Sequence, residues 1–185
     1  SQVTKGNEGQ RRSPQISPDG NWLYYTLRVG NQAKIIRLSM LDQKEEVFLD
    51  DEKVRCGLFM EISPDGKYLA CPNWRTRTAN DADKHNSEIA IISTETKLII
   101  GYIPIARISQ NFRFSPDSKA IEFIAALDSG TQLMRQSFGE SEPKPILTLP
   151  NDRIFNFAWS KDGKKIALSR GQQYRDAVLL TEFDK

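Results

Sequence analysis

A five-residue phrase recurs four times along the chain: Ile16-Ser17-Pro18-Asp19-Gly20, Ile62-Ser63-Pro64-Asp65-Gly66, Phe114-Ser115-Pro116-Asp117-Ser118 and Trp159-Ser160-Lys161-Asp162-Gly163. The serines are 46, 52 and 45 residues apart (17 to 63, 63 to 115, 115 to 160), a period that marks a repeat architecture. Serine opens a turn, proline presets φ at its second position, aspartate suits the third, and glycine takes the left-handed position that closes a hairpin with a bulge. The phrase therefore joins two antiparallel strands. At Ser118 a non-glycine residue is asked to adopt positive φ, at some cost.

Short apolar and aromatic runs follow each turn, as in Asn21 to Leu27, Lys67 to Cys71, Ala120 to Ala125 and Lys165 to Ser169. These are strand-like in length and composition. Third strands fit Ala33 to Leu38, Glu88 to Ile92, Thr131 to Gln136 and Asp176 to Leu180, and fourth strands fit Glu46 to Leu49, Leu98 to Tyr102 and Pro145 to Leu149. Each repeat reads as a four-stranded antiparallel sheet, and such sheets repeated at this length stack radially. The expectation is an all-β chain: a β-propeller of four-stranded antiparallel blades at about 11–50, 57–104, 109–149 and 154–183. A two-sheet sandwich predicts no phrase recurring at fixed phase.

Gln2 to Thr4 occupies the place of an outer strand, and the fourth repeat reaches Lys185 after its third strand. Either the N-terminus completes the last blade of a four-blade ring, or it finishes a preceding blade of a larger propeller. The lack of an initiating Met at Ser1 favours the second. The chain is thus a single propeller domain or a C-terminal propeller segment.

The Ser-Pro-Asp-Gly turn after an apolar strand, once per blade, resembles the repeat of TolB-type β-propellers, which also form the N-terminal propeller of prolyl-oligopeptidase-class peptidases. The stretch Ile154 to Gly171 with Asp176 to Leu180 is similar to the closing blade of propellers fused to bacterial serine/threonine kinases and winged-helix regulators. The motifs specify turns rather than chemistry. The resemblance implies a non-catalytic protein-interaction or ligand-sensing module of a bacterial signalling or envelope-associated protein, periplasmic or otherwise extracytoplasmic, with a cytoplasmic setting also open. The alternative is the regulatory propeller domain of a serine peptidase.

No run of about 20 apolar residues occurs, so the chain carries no helical membrane span, and Lys5, Glu8, Arg11 and Arg12 interrupt the start in a way no signal peptide does. A net charge of +2 does not by itself imply nucleic acid, which needs a concentrated basic face. Placement says more. In a propeller the turns between first and second and between third and fourth strands share one face, which here carries Lys44, Lys67, Lys97, Lys119, Lys144, Lys161 and Lys164. The opposite face collects Arg11, Arg12, Arg28, Arg55, Arg75, Arg77, Arg107, Arg153, Arg170 and Arg175. A guanidinium fork suits carboxylate or phosphate, so this face is a candidate mouth for a protein partner or an anionic small ligand. The competing reading pairs those arginines with the acids of the same loops, Asp152 and Asp176 among them.

The longest departure from the repeat is Asn73 to Ser87, a polar loop on the arginine face. Trp74 with Arg75 and Arg77 has the composition of an interface anchor, and with Arg107, Arg153, Arg170 and Arg175 completes the candidate binding set. Asp81, Asp83 and His85 suggest a metal, but a calcium loop wants glycine and glutamate where Asn86 and Ile92 stand; no metal and no cofactor are expected. Catalysis is not expected either. His85 is the only histidine and no Gly-x-Ser-x-Gly elbow occurs. Self-association, or association with missing blades, through open blade edges is a further expectation.

The two cysteines are not expected to pair. Hairpin pairing through the turn at Ser63 sets Cys71 opposite Phe59, with Cys56 on the other face, so a bridge requires an irregular strand start. Cysteine usage then leaves the redox compartment open. Phe59, Phe112, Phe114, Phe157 and Trp159, on innermost strands, read as filling between blades.

Overall fold

The computed structural model describes residues 9–30, 32–50, 56, 59–74, 87–105 and 111–172, and every element among them is a strand. The first sheet runs β1 (Gln10–Ile16), β2 (Trp22–Val29), β3 (Gln32–Ser39), β4 (Glu45–Leu49). The second runs β5 (Glu61–Ile62), β6 (Tyr68–Trp74), β7 (Ser87–Ser93), β8 (Ile99–Ile105), and the third β9 (Phe112–Phe114), β10 (Ala120–Leu127), β11 (Gly130–Ser137), β12 (Lys144–Pro150). A hairpin of β13 (Arg153–Trp159) and β14 (Ile166–Gly171) opens the fourth. All pairings are antiparallel. Three of the expected four-stranded sheets and the first hairpin of the fourth follow one another in the expected order, and no described strand joins the last sheet to the first. Gln2 to Thr4 and Asp176 to Leu180, the two segments on which ring closure was argued, lie outside the described residues.

The recurring phrase folds the same way each time. Ser17, Ser63, Ser115 and Ser160 each donate their hydroxyl to the aspartate two residues on, at 2.5–2.6 Å. The same hydroxyl accepts the backbone N–H that starts the next strand, from Trp22, Tyr68, Ala120 and Lys165, at 2.9–3.0 Å. The fourth residue is left-handed in all four, with φ of 76°, 74°, 61° and 67° at Gly20, Gly66, Ser118 and Gly163. Ser118 does carry the expected positive φ, and its hydroxyl accepts the Asp65 backbone N–H of the preceding blade at 3.0 Å. A hydrogen bond across the seam offsets the cost of a side chain there.

These turns also overlap from blade to blade. A Cβ placed on Gly66 would lie 3.1 Å from the Pro18 ring, and one on Gly163 would lie 2.6 Å from Pro116 Cβ, whereas Gly20 has open space. Gly163→Ala and Gly20→Ala share the left-handed penalty, but only the first drives a methyl into a neighbouring blade. Gly163→Ala is expected to be about 1 kcal/mol more destabilising than Gly20→Ala, read as the difference between their urea midpoints; equal midpoints would show that the turns do not brace each other.

The core lies in the seams. Tyr24, Ile35 and Phe48 of the first blade meet Cys56, Met60, Leu69, Cys71, Ala90 and Ile92 of the second. Ala70, Ile89, Ile91, Ile103 and Ile105 meet Phe112, Phe114, Ile121 and Phe123, and Ile124 and Leu133 meet Ile154 and Phe157. Phe112, Phe114 and Phe157 are buried as expected; Phe59 packs at the edge of the second seam, and Trp159 is half-buried. Exposed outer edges are blunted by Glu45 and Glu46 in β4, Pro104 in β8, and Lys144, Pro145 and Pro150 in β12.

The expectation for the cysteines is overturned: Cys56 and Cys71 form a disulfide, with Cα atoms 5.3 Å apart. The register differs by one residue from the one expected. Glu61 pairs with Ala70 and Ile62 with Leu69, which sets Cys71 opposite Met60 rather than Phe59. Cys56, four residues from Met60, then shares the face of Cys71. Pro72 does the rest. Ser63 N–H donates to Tyr68 C=O, and Glu61 pairs with Ala70, so position 59 would be the next to exchange hydrogen bonds, with position 72. Proline has no N–H to donate, and the ladder breaks there. Pairing resumes at Cys56 opposite Asn73, two residues out of the earlier register. A shift of two leaves the face unchanged and brings Cys56 beside Asn73, a diagonal neighbour of Cys71 within disulfide reach.

Candidate functional site: a cleft across the first seam

A cleft of about 480 Å³ opens where the first two blades meet, on the face of the Ser-Pro-Asp-Gly turns. The first blade contributes Ser17, Pro18 and Asp19 from its turn, Trp22 and Tyr24 from β2, and Arg37 from β3; the second contributes Asp65 and Gly66 from its turn and Thr94 and Glu95 from the β7–β8 connection. Thr94 joins the two turns of its own blade: its hydroxyl donates to Gly66 C=O at 2.7 Å and its N–H to Lys67 C=O at 2.9 Å. The volume falls in the range of small-ligand sites.

Antiparallel register places Tyr24 opposite Arg37 and Arg37 opposite Glu46. The Arg37 guanidinium lies 4.0 Å from the Trp22 ring centroid, and its Nε donates to Glu46 at 2.8 Å. Lys97, from the second blade, reaches the same carboxylate at 3.2 Å. Glu46 is therefore held below the usual carboxylate range, first by Arg37 and then by Lys97, and it ties the rim of both blades together. Asp19 is held low by the Ser17 hydroxyl and by the N–H groups of Asn21. Burial pushes the Tyr24 hydroxyl up. The cleft thus presents fixed charges, a cation stacked on an indole and a neutral phenol. Asp117 and Asp162 are lowered for the same reason as Asp19, by Ser115 and Ser160, so the effect is not peculiar to this cleft.

The arginine face is described in part. Arg153 begins β13 and Arg170 lies on β14, opposite Ile154, so the hairpin brings the two together at the end remote from its turn. Arg170 lies 3.7 Å from Asp152. Trp74 ends β6, likewise remote from the turn. Arg75, Arg77, Arg107 and Arg175, with Asp81, Asp83 and His85, lie outside the described residues. Among the described residues no group of three or more His, Cys, Asp or Glu side chains is placed to hold a metal.

Reading along the sequence did not find the cleft. Asp19 and Asp65 served as turn formers and Trp22 and Tyr24 as strand residues, while Arg37 and Glu46 stand nine positions apart on paired strands. Their cross-strand opposition was the one available signal.

No family profile matches the chain, and no curated protein is similar to it. Solved structures are. TolB from Acinetobacter baumannii superposes with a TM-score of 0.67 at 23% identity, over 90% of this chain and 39% of that one. The Pyrococcus horikoshii acylaminoacyl peptidase does so at 0.61 and 15%, over 82% of this chain and 27% of that one, and a prolyl endopeptidase at 0.60 and 16%, over 87% and 26%. The chain spans well under half the length of each. At these identities the likeness is one of architecture, and the fold is that of a TolB-like β-propeller.

Proposed function

We propose that this chain acts by binding rather than by catalysis, as a protein-interaction or ligand-sensing propeller module of a bacterial signalling or envelope-associated protein working outside the cytoplasm. The observation that carries the reading is the seam cleft. Asp19 in the cleft and Glu46 beside Arg37 are held low, by hydroxyl and N–H donors and by cations respectively, whereas an acid or base for catalysis is tuned toward the working pH. Such a site recognises charge and shape without moving protons. The buried disulfide supports an oxidising compartment. Arg153 and Arg170, at the end of their hairpin remote from its turn, support a second recognition surface for an anionic ligand or acidic partner, to which the sequence pattern would add Trp74, Arg75, Arg77, Arg107 and Arg175.

The test is a titration of the oxidised protein with tetralysine and tetra-aspartate peptides, followed by NMR at the Trp22 indole N–H and the Arg37 Nε–H. One of the two peptides is expected to shift those signals saturably, and Arg37→Ala is expected to abolish the effect. Absence of any shift at millimolar peptide, or turnover of aminoacyl p-nitroanilides by the purified chain, would overturn the reading. The fold shared with acylaminoacyl and prolyl peptidases favours one alternative, a propeller regulating a peptidase domain elsewhere in a longer protein.

A further inference from the structure

We propose that the Cys56–Cys71 disulfide is a redox-sensitive catch for the seam cleft, whose reduction loosens the first two blades from each other while the third and fourth stay folded. The inference rests on the reading of the cleft as the binding site and adds its regulation. Three features place the catch. First, β5 is two residues long because Pro72 cannot continue the ladder, and among the described residues Cys56 is joined to β6 by the bridge to Asn73 and by the disulfide. Second, Cys56 and Met60 are themselves core residues of the seam, in one cluster with Tyr24, Ile35 and Phe48 of the first blade. Third, Trp22 packs against that cluster and Tyr24 belongs to it, and both also line the cleft. The wall of the cleft and the disulfide therefore share one packed unit.

The chemistry is thiol–disulfide exchange with a dithiol. One thiolate of the dithiol attacks a protein sulfur, giving a mixed disulfide; its second thiolate then displaces the protein sulfur. The Cys56–Cys71 bond is broken and both residues become thiols, while the dithiol closes to its own disulfide, two electrons and two protons passing to the protein. Cys56 and Cys71 are 2% and 0% exposed, so attack requires the seam to open first, and the catch holds until it does. Repeat architectures permit this because each blade depends chiefly on its neighbours.

Hydrogen exchange read by mass spectrometry tests the proposal on the whole chain, oxidised against dithiothreitol-reduced, with alkylation confirming two thiols. Reduction is expected to speed exchange about tenfold or more in 22–38, 61–62 and 68–74, and less than about twofold in 120–137 and 153–171. The double variant Cys56→Ala/Cys71→Ala is expected to reproduce the pattern without reductant. Unchanged exchange with both thiols alkylated would overturn the proposal, as would an equal rise in all blades. No ligand enters this readout, so a catch that fails here and a cleft that binds nothing in the peptide titration are separate results.

Discussion

Phe112→Ala is expected to destabilise the fold by about 3–5 kcal/mol, the largest effect of any single truncation in the structure, with urea-induced unfolding as the measurement. Phe112 is 1% exposed. It stands on β9, an innermost strand of only three residues, and fills the second seam against Ala70, Ile89, Ile91, Ile103 and Ile105. Truncation removes the apolar area of a ring and leaves a cavity between two sheets that cannot approach each other, because their turns are already in contact: Ser118 of one blade accepts the Asp65 N–H of the other. A site that cannot collapse retains its cavity, which puts the cost at the upper end of the range. Phe155→Ala is the control. That ring is 44% exposed, and its loss is expected to cost under about 1 kcal/mol. Similar losses for both would mean that the seams are not the core of this fold.

Blade architecture was legible because it rests on local chemistry. Ser-Pro-Asp-Gly specifies its turn within four residues, and a hairpin turn fixes the register of the strands it joins. β1 with β2 and β9 with β10 are therefore joined by the phrase where alternation and turn residues placed them. What joins one blade to the next was not legible. The Ser118 hydroxyl looked like a departure from glycine, and its partner is 53 residues away. Phe112 and Phe157 could be assigned to seams because inner-strand aromatics have few alternatives, but the identity of their neighbours depends on the angle between sheets. The cleft follows the same rule, since Asp65, Thr94 and Glu95 come from a different repeat than Trp22 and Arg37.

The disulfide is the instructive failure. Strand parity was applied from a turn register one residue out, with Cys71 opposite Phe59, whereas the hairpin pairs Ile62 with Leu69 and so sets Cys71 opposite Met60. A slip of one residue exchanges the two faces of a strand, while the break at Pro72 shifts pairing by two and leaves the face of Cys56 as it was. Parity across a turn is therefore only as good as the register assigned to that turn. The arginine face illustrates a different limit. Composition could name Arg153 and Arg170 as a pair on one face, yet only the fold shows Asp152 within reach of Arg170, which narrows what that guanidinium has free for a ligand.

Glu122 is where buried charge and seam packing meet, and its removal is the second large effect expected. The residue lies in β10 between Arg113 and Arg135 on the flanking strands, and it is 0% exposed. One carboxylate oxygen accepts Arg135 Nε at 2.8 Å and Nη2 at 2.5 Å; the other accepts the Trp159 indole N–H of the fourth blade at 2.5 Å. A carboxylate satisfied on both oxygens can be buried; one partner left behind cannot easily be. Removing one member of a buried pair costs about 3–5 kcal/mol, and because the Arg135 side chain is 38% exposed and can turn to water, Glu122→Ala is expected near the low end, at about 3 kcal/mol. Trp159→Phe keeps an aromatic ring but deletes the donor and part of the indole, so a loss of about 1–2 kcal/mol is expected. The double variant Glu122→Ala/Trp159→Phe is then expected to be less destabilised than the sum of the two, because the indole bond is removed once rather than twice. Strict additivity in chemical denaturation would separate Trp159 from Glu122 and leave the third seam to apolar packing alone.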